Sequence, residues 1–476
     1  MNADPSPLRA IDGRDARPTV AFIFSRFPSH LFGSFGVARR IQDLGFRVEY
    51  WGDDAARKLV LNQKFQHYGL GQIWPCYEPV FPGGIHFSAV GRAEIASRLT
   101  ALRGTATKLP EVLDHFESSL DAQLARCKPV LAVLDSLATA YFPLLRARGV
   151  KCVLLQDKPA PLVGSLSPPP TTSHIPRDTR TSRAAVAALW KAERIRCAMG
   201  EGSRKILGAA GIYTHSALLS AILTRSRRAA CVPLRRVYYD LTFAGLDEWL
   251  TSIPELEFSG GTPLPDSVRY IGNCVDLQRV EISPPFKSLR ARRLIYVSMG
   301  ATVAHWRLDM EVLSRVLTAT ATIDDADVVV ATGDHNAATA VRAKFPGLFV
   351  SAYLPQLAFL KSASLAVTHA GANAVRECVA TETPMFALPR AFDQYGNAAR
   401  IVKHGIGLCG NRRRDRSEDI RKAIGSLLED DSYKNTLHQI SVAASQSERS
   451  LLRSALKAAV GIEDVAQNPS LSGSPR

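Results

Sequence analysis

The chain has 476 residues, too many for one ordinary domain, and its 46% hydrophobic and 22% charged content is that of a globular protein with a core in each of two or three domains. Lys and Arg outnumber Asp and Glu by 59 to 44, and a net charge of +15 suits a surface attracted to anionic lipid, nucleic acid or an acidic substrate. The eight cysteines make no CxxC pair, and neither a run of 18 apolar residues nor an initial apolar stretch occurs. A disulfide framework, a membrane span and a signal peptide are therefore not expected, and a cytoplasmic setting is.

Residues 1–17 are polar and lack periodicity, as expected of a flexible tail. Residues 19–24 (TVAFIF) read as a buried strand that runs into the loop Arg26-Phe27-Pro28-Ser29-His30. Leu31, Phe35, Ala38, Ile41 and Leu44 then recur at helical spacing, with Gly45 as the stop and residues 48–51 as the next strand. Residues 130–134 (VLAVL) form a strand that delivers Asp135, which either caps a following helix or faces a site, and residues 151–156 form another. A Pro- and Ser-rich loop covers 159–172, and a helical stretch from Arg177 to Lys205 is rich in Arg and Lys near the apolar run 217–223. Such a basic rim fits peripheral contact with an anionic membrane, and equally an ordinary solvated face. The absence of interleaved aromatics argues against nucleic acid.

Domain limits follow. Residues 18–280 read as an amino-terminal domain, 281–291 as a linker, 292–445 as a second domain, 446–462 as a helix crossing back to the first, and 463–476 as a second tail. The second domain opens with the strand 294–298 and Met299-Gly300-Ala301-Thr302. Two letter matches fail on context. Asp325-Ala326-Asp327 precedes the strand 328–332, at the wrong end of the sheet for a ligand, and reads as a loop. The GxGxxG of residues 405–410 follows a helix rather than a strand.

Residues 353–407 are the most informative. The run LAVT at 365–368 stops at His369-Ala370-Gly371 before a helix over 372–380, and a strand at 385–388 is followed by Asp393-Gln394 and a helix over 396–403. Two successive strand–loop–helix units predict a parallel sheet, and a ligand belongs at the carboxyl ends of its strands. Gly371 allows close approach of a phosphate to a helix amino terminus, with His369 beside it as a donor. Glu377, two turns along, can accept hydrogen bonds from the paired hydroxyls of a ribose, Asp393 and Gln394 suit a hexose, and Tyr353 offers a face to a base.

The offsets linking Tyr353-Leu354-Pro355-Gln356, His369-x-Gly371, Glu377, Asp393-Gln394 and Asn397-Ala398 resemble the donor signature of family-one UDP-glycosyltransferases of the bacterial macrolide and zeaxanthin type. The resemblance implies an α/β GT-B fold, two Rossmann-like domains with parallel sheets facing across a cleft. It implies a catalytic base at His30 with Asp135 steadying it, and donor contacts from Tyr353, Gln356, His369, Gly371, Asn373, Glu377, Asp393, Gln394, Gly300 and Thr302. The implied activity is inverting transfer of a hexose, glucose foremost, from a UDP-sugar co-substrate to a hydroxyl of a small lipophilic acceptor, a carotenoid, macrolide, sterol or lipid, with no cofactor and no metal. Tyr353 stands where the family has Trp, Ala370 where it has Gly, Ala374 where it has a hydroxyl residue, Ser29 where a Gly precedes the base, and Ala301 in a Gly-Ser pair. The departures at Ala301 and Ala374 keep open a weakly active or inactive sugar-nucleotide- or lipid-binding protein, and an epimerase on a similar two-domain fold is a second alternative.

Overall fold

A computed structural model describes residues 17–71, 92–160, 162–212, 214–226, 231–235, 241–281, 292–300 and 309–461. The sequence-predicted tails, most of the linker and residues 301–308, with Ala301 and Thr302, lie outside them.

Two all-parallel sheets organise the chain. The first joins β1 (Thr19–Phe24), β2 (Arg47–Gly52), β3 (Gln66–Gly69), β4 (Leu131–Asp135), β5 (Cys152–Gln156), β8 (Asp247–Leu250) and β9 (Val268–Tyr270) in the order β3-β2-β1-β4-β5-β8-β9. Between β5 and β8 a small antiparallel pair, β6 (Pro233–Arg235) and β7 (Leu241–Phe243), stands apart. The second sheet joins β10 (Arg293–Ser298), β11 (Ala326–Ala331), β12 (Phe349–Ser351), β13 (Leu365–Thr368), β14 (Met385–Ala387) and β15 (Gly407–Cys409) in the order β12-β11-β10-β13-β14-β15. The central strands are apolar on both faces, as a parallel sheet covered by helices requires, and β1 is buried at all six positions.

The helices that shape the cleft are α1 (Pro28–Asp43), α2 (Arg92–Arg126), α3 (Arg180–Ala209), α4 (His215–Arg225), α5 (Ala372–Ala380), α6 (Gln394–Lys403) and α7 (Ser432–Val460). α1 buries Leu31, Phe35, Val37, Ala38 and Ile41, and each large side chain so covered contributes about 1.5–3 kcal/mol. Gly36 is required there, because a Cβ would lie 1.8 Å from the Cys274 carbonyl oxygen of the segment leaving the first sheet.

α7 spans both domains. Leu437 and Ala444 pack in the core of the second, and Leu452, Ala455, Leu456 and Val460 in the core beneath β1 and β2. Between them Glu448 pairs with Arg40 and accepts a hydrogen bond from the Cys274 amide at 2.7 Å.

Two boundaries depart from the pattern in the sequence. Asp325-Ala326-Asp327 is not all loop, since pairing with Arg293 and Leu294 draws Ala326 and Asp327 into β11. The last helix does not begin at 446 but at Ser432, because both its halves have an apolar stripe to bury.

Candidate active site

β1 and β4 are neighbours, so the loop after one and the last residue of the other meet at the carboxyl edge of the first sheet. His30, in the first turn of α1, brings Nδ1 to 2.6 Å from Asp135 Oδ1. The other carboxylate oxygen of Asp135 accepts from the Ser25 amide at 3.1 Å and the Ser25 hydroxyl at 2.5 Å. Asp135 also caps a short 3₁₀ turn through the Leu137 amide at 3.2 Å, so it both faces His30 and caps the turn that follows it. Burial alone would lower the pKa of His30, but the buried Asp135 carboxylate outweighs it and lifts the imidazole from 6.5 to about 9. With Nδ1 held by Asp135, Nε2 is the ring nitrogen left for a substrate proton. Gly33, Asp157 and Thr251 line the small cavity beside it.

His369 follows β13 and is held between two glycines. A Cβ on Gly371 would lie 2.4 Å from its Nε2, and one on Gly300 2.7 Å from its Cε1. Burial, with the nearby Arg412 adding, lowers its pKa to about 4, so the ring is neutral and acts as a hydrogen-bonding group rather than a cation. Its Nδ1 is buried with no partner among the described residues. Gly371 is the N-cap of α5, whose free amides open at the same place and favour an anion. Ala370 takes φ +60°, a left-handed conformation that glycine adopts at less cost, which explains why this position favours Gly in the signature.

Glu377 is not an open acceptor on the rim. It is buried, taking hydrogen bonds from Gln356 Nε2 at 2.7 Å and Arg279 Nη1 at 2.7 Å. Tyr353 stands 56% exposed, with its ring nearly perpendicular to that of His335 at 5.7 Å between centroids.

Asp393, the N-cap of α6, accepts from Asn397 at 3.0 Å, and the same amide group reaches the Ala370 carbonyl, which ties the two strand–loop–helix units together. Burial and then the Asp157 carboxylate push the pKa of Asp393 up to about 6. Gln394 is less free than the sequence pattern suggests. Its carbonyl oxygen accepts from the Arg390 and Ala391 amides at 2.9 and 3.1 Å and so folds the loop.

Asn373 reaches the first domain: its amide donates to the Ser29 carbonyl at 2.7 Å and its oxygen accepts from Arg376 at 2.8 Å. Arg376 in turn grips the Asn273 carbonyl, and Gly396 donates to the Pro170 carbonyl at 2.7 Å. The pairings that cross between the domains are not visible in one sequence, since each joins residues more than 100 positions apart. Ser25, Asp157, Arg279 and Arg376 are the residues of the site that pattern reading misses.

Two parallel-sheet Rossmann-like domains facing across a cleft, with a helix amino terminus on one rim and a His–Asp pair on the other, define a GT-B architecture. Residues 291–447 match the UDP-glucoronosyl and UDP-glucosyl transferase family. A zeaxanthin glucosyltransferase of Pseudescherichia vulneris is 28% identical over 240 residues, 49% of this chain and 53% of that protein. An oleandomycin glycosyltransferase of Streptomyces antibioticus is 36% identical over 94 residues, 20% of this chain and 22% of that one. The chain therefore spans about half or less of the length of these curated relatives. Among solved structures, the kitacinnamycin glycotransferase covers 94% of this chain over 100% of its own length, with TM-score 0.58 and 17% identity. A spinosyn rhamnosyltransferase complexed with thymidine diphosphate covers 92% over 100% of its own, with TM-score 0.55 and 14% identity.

Proposed function

We propose that the chain is a UDP-dependent glycosyltransferase that moves a hexose, glucose foremost, to a hydroxyl of a small lipophilic acceptor. The observation that carries this reading is the contact between the two halves of the site: Asn373, at the start of the anion-binding helix, holds the carbonyl of Ser29, the residue before His30. An acceptor hydroxyl at His30 and a diphosphate at Gly371 then address one anomeric carbon from opposite domains.

In this reading the neutral His30 takes the acceptor proton on Nε2 while Asp135 stabilises the imidazolium that forms. The hydroxyl oxygen attacks the anomeric carbon, the bond to the diphosphate breaks, and the configuration inverts. The α5 amides and His369 hydrogen-bond the departing diphosphate, so its charge is met by protein dipoles and no metal is called upon. Tyr353 takes the base, Glu377 the ribose, and Asp393 with Gln394 the sugar. The relatives named for zeaxanthin and oleandomycin support a large, mostly apolar acceptor.

The test is UDP release from UDP-glucose with a panel of such acceptors. Acceptor-dependent release that His30→Ala abolishes while UDP binding persists supports the reading. Conversion of the donor without any acceptor would favour an epimerase, and binding without turnover a binding protein.

We also propose peripheral contact with an anionic membrane through α3. Ile195, Met199 and Ile206 are 54%, 69% and 72% exposed, and their spacing places them on one face, with exposed Lys191 and Arg194 alongside. Among the described residues no helix is long and apolar enough to cross a membrane.

A further inference from the structure

Glu377 lies where the donor reading puts the ribose, yet it is only one corner of a buried cluster. Arg279, on the segment leaving the first domain, is 2% exposed and forks between two carboxylates. Its Nη1 lies 2.7 Å from Glu377 Oε1 and its Nη2 2.5 Å from Glu281 Oε1. Gln356 donates to the second oxygen of Glu377, and the Ala358 amide donates to the second oxygen of Glu281 at 3.2 Å. The guanidinium also lies over the ring of Phe32, 4.3 Å from its centroid, and Phe32 is two residues beyond His30 on α1.

Three consequences follow from this geometry. A planar guanidinium bonded at two corners fixes the plane of the carboxylate it holds, which a single rotatable ammonium does not. Two carboxylates share one cation, so one negative charge in the cluster is left for donors that arrive from outside. Each Glu377 oxygen has used one lone pair on the protein and keeps another for a hydroxyl.

We propose that Arg279 is a positioning residue: it aims the Glu377 carboxylate at the two ribose hydroxyls and, through Phe32, joins donor binding to the helix that carries His30. This inference rests on the donor reading above. Arg279 need not touch the substrate. Its effect is to make one orientation of Glu377 persist, and to let the donor site and the His30 turn move as one body.

Titration calorimetry with UDP and 2′-deoxy-UDP on the full chain tests this, because the deoxy ligand lacks one of the hydroxyls that Glu377 receives. The wild type is expected to prefer UDP by roughly tenfold or more, the loss of one hydrogen bond to a charged group. In Arg279→Lys, which keeps the charge but cannot span both carboxylates, the preference should collapse to about threefold or less. A merely structural role would weaken both ligands in parallel and leave the ratio intact, and that result overturns the proposal.

Should Arg279→Lys fail to fold, Phe32→Leu keeps both ion pairs and removes only the ring beneath the guanidinium. It is expected to lower the ratio with the melting temperature held, and an unchanged ratio again overturns the proposal. A wild type that does not distinguish the two nucleotides, or binds neither, removes the ribose reading of Glu377 and this inference with it.

Discussion

His30 and Asp135, 105 residues apart in the chain, meet at 2.6 Å between Nδ1 and Oδ1 because β1 and β4 run side by side and end together. The carboxylate is buried and anchored by both the amide and the hydroxyl of Ser25, so it cannot turn away from the ring. The pair behaves as one unit, and its titration sets when a base is available.

A base must be neutral to accept a proton. With His30 lifted to about 9, acceptor-dependent kcat/KM should rise with pH and level off only above that value. In Asp135→Asn burial loses its main counterweight, so the inflection should move well below 9 while the plateau falls by about a hundredfold or more. The same ion pair should add stability that is full below pH 6.5 and lost as the pH rises through 9. An Asp135→Asn profile that still turns near pH 9 would show that the pair does not control the base.

Asp393 makes a second pH test, read in donor binding. Its carboxyl is held up to about 6 by burial and by Asp157, so it is protonated below that pH and a weaker acceptor for sugar hydroxyls. The KM for UDP-glucose should therefore increase as pH falls below 6, the affinity for UDP alone should stay flat, and Asp393→Asn should remove the difference. Parallel pH dependence of UDP and UDP-glucose would separate Asp393 from the sugar.

Arg400 and Glu257 join the domains by a buried pair, 2.5 Å from Nη2 to Oε2, with the guanidinium also over the Phe258 ring. Arg400→Met leaves Glu257 charged and uncompensated, and denaturant unfolding should show a loss of about 3–5 kcal/mol. Adding Glu257→Met should recover most of it, because the cost lies in the stranded charge rather than in the lost bond. A double variant no better than the single one would contradict this.

The α3 surface is checked by sedimentation with vesicles. Phosphatidylcholine vesicles carrying an anionic lipid should pull down the wild type, and Ile195→Asp, Met199→Asp and Ile206→Asp together should release it without shifting the melt, since all three side chains are exposed. Equal binding of the triple variant would move the contact elsewhere.

The second domain is legible in the sequence because its elements are short, regularly spaced and punctuated. The strand 365–368 and the helix 372–380 fall where the apolar run and the His-Ala-Gly turn put them. α2 is hidden, since Gly104 and Pro110 lie within it as apparent breaks and its apolar stripe of Leu102, Leu109, Leu113, Phe116 and Leu120 has meaning only against the first core. Candidate ligand residues at strand ends were readable by type. What could not be read was which of them the fold commits to itself: Asn373 to Ser29, Gln394 to its own loop and Glu377 to Arg279. Such commitments depend on contacts across the cleft that local spacing does not encode.

Binding of a nucleotide sugar between Tyr353 and Gly407 should be seen at once in thermal stabilisation by UDP-, TDP- and GDP-sugars. A ligand held at a hundred times its dissociation constant adds about 2.7 kcal/mol to the native state. UDP-glucose should raise the melting temperature of the wild type, Glu377→Ala should abolish the rise for every nucleotide, and Asp393→Ala should diminish it only for those that carry a sugar. A wild-type melt that no nucleotide or nucleotide sugar displaces would mean that no such ligand is held there.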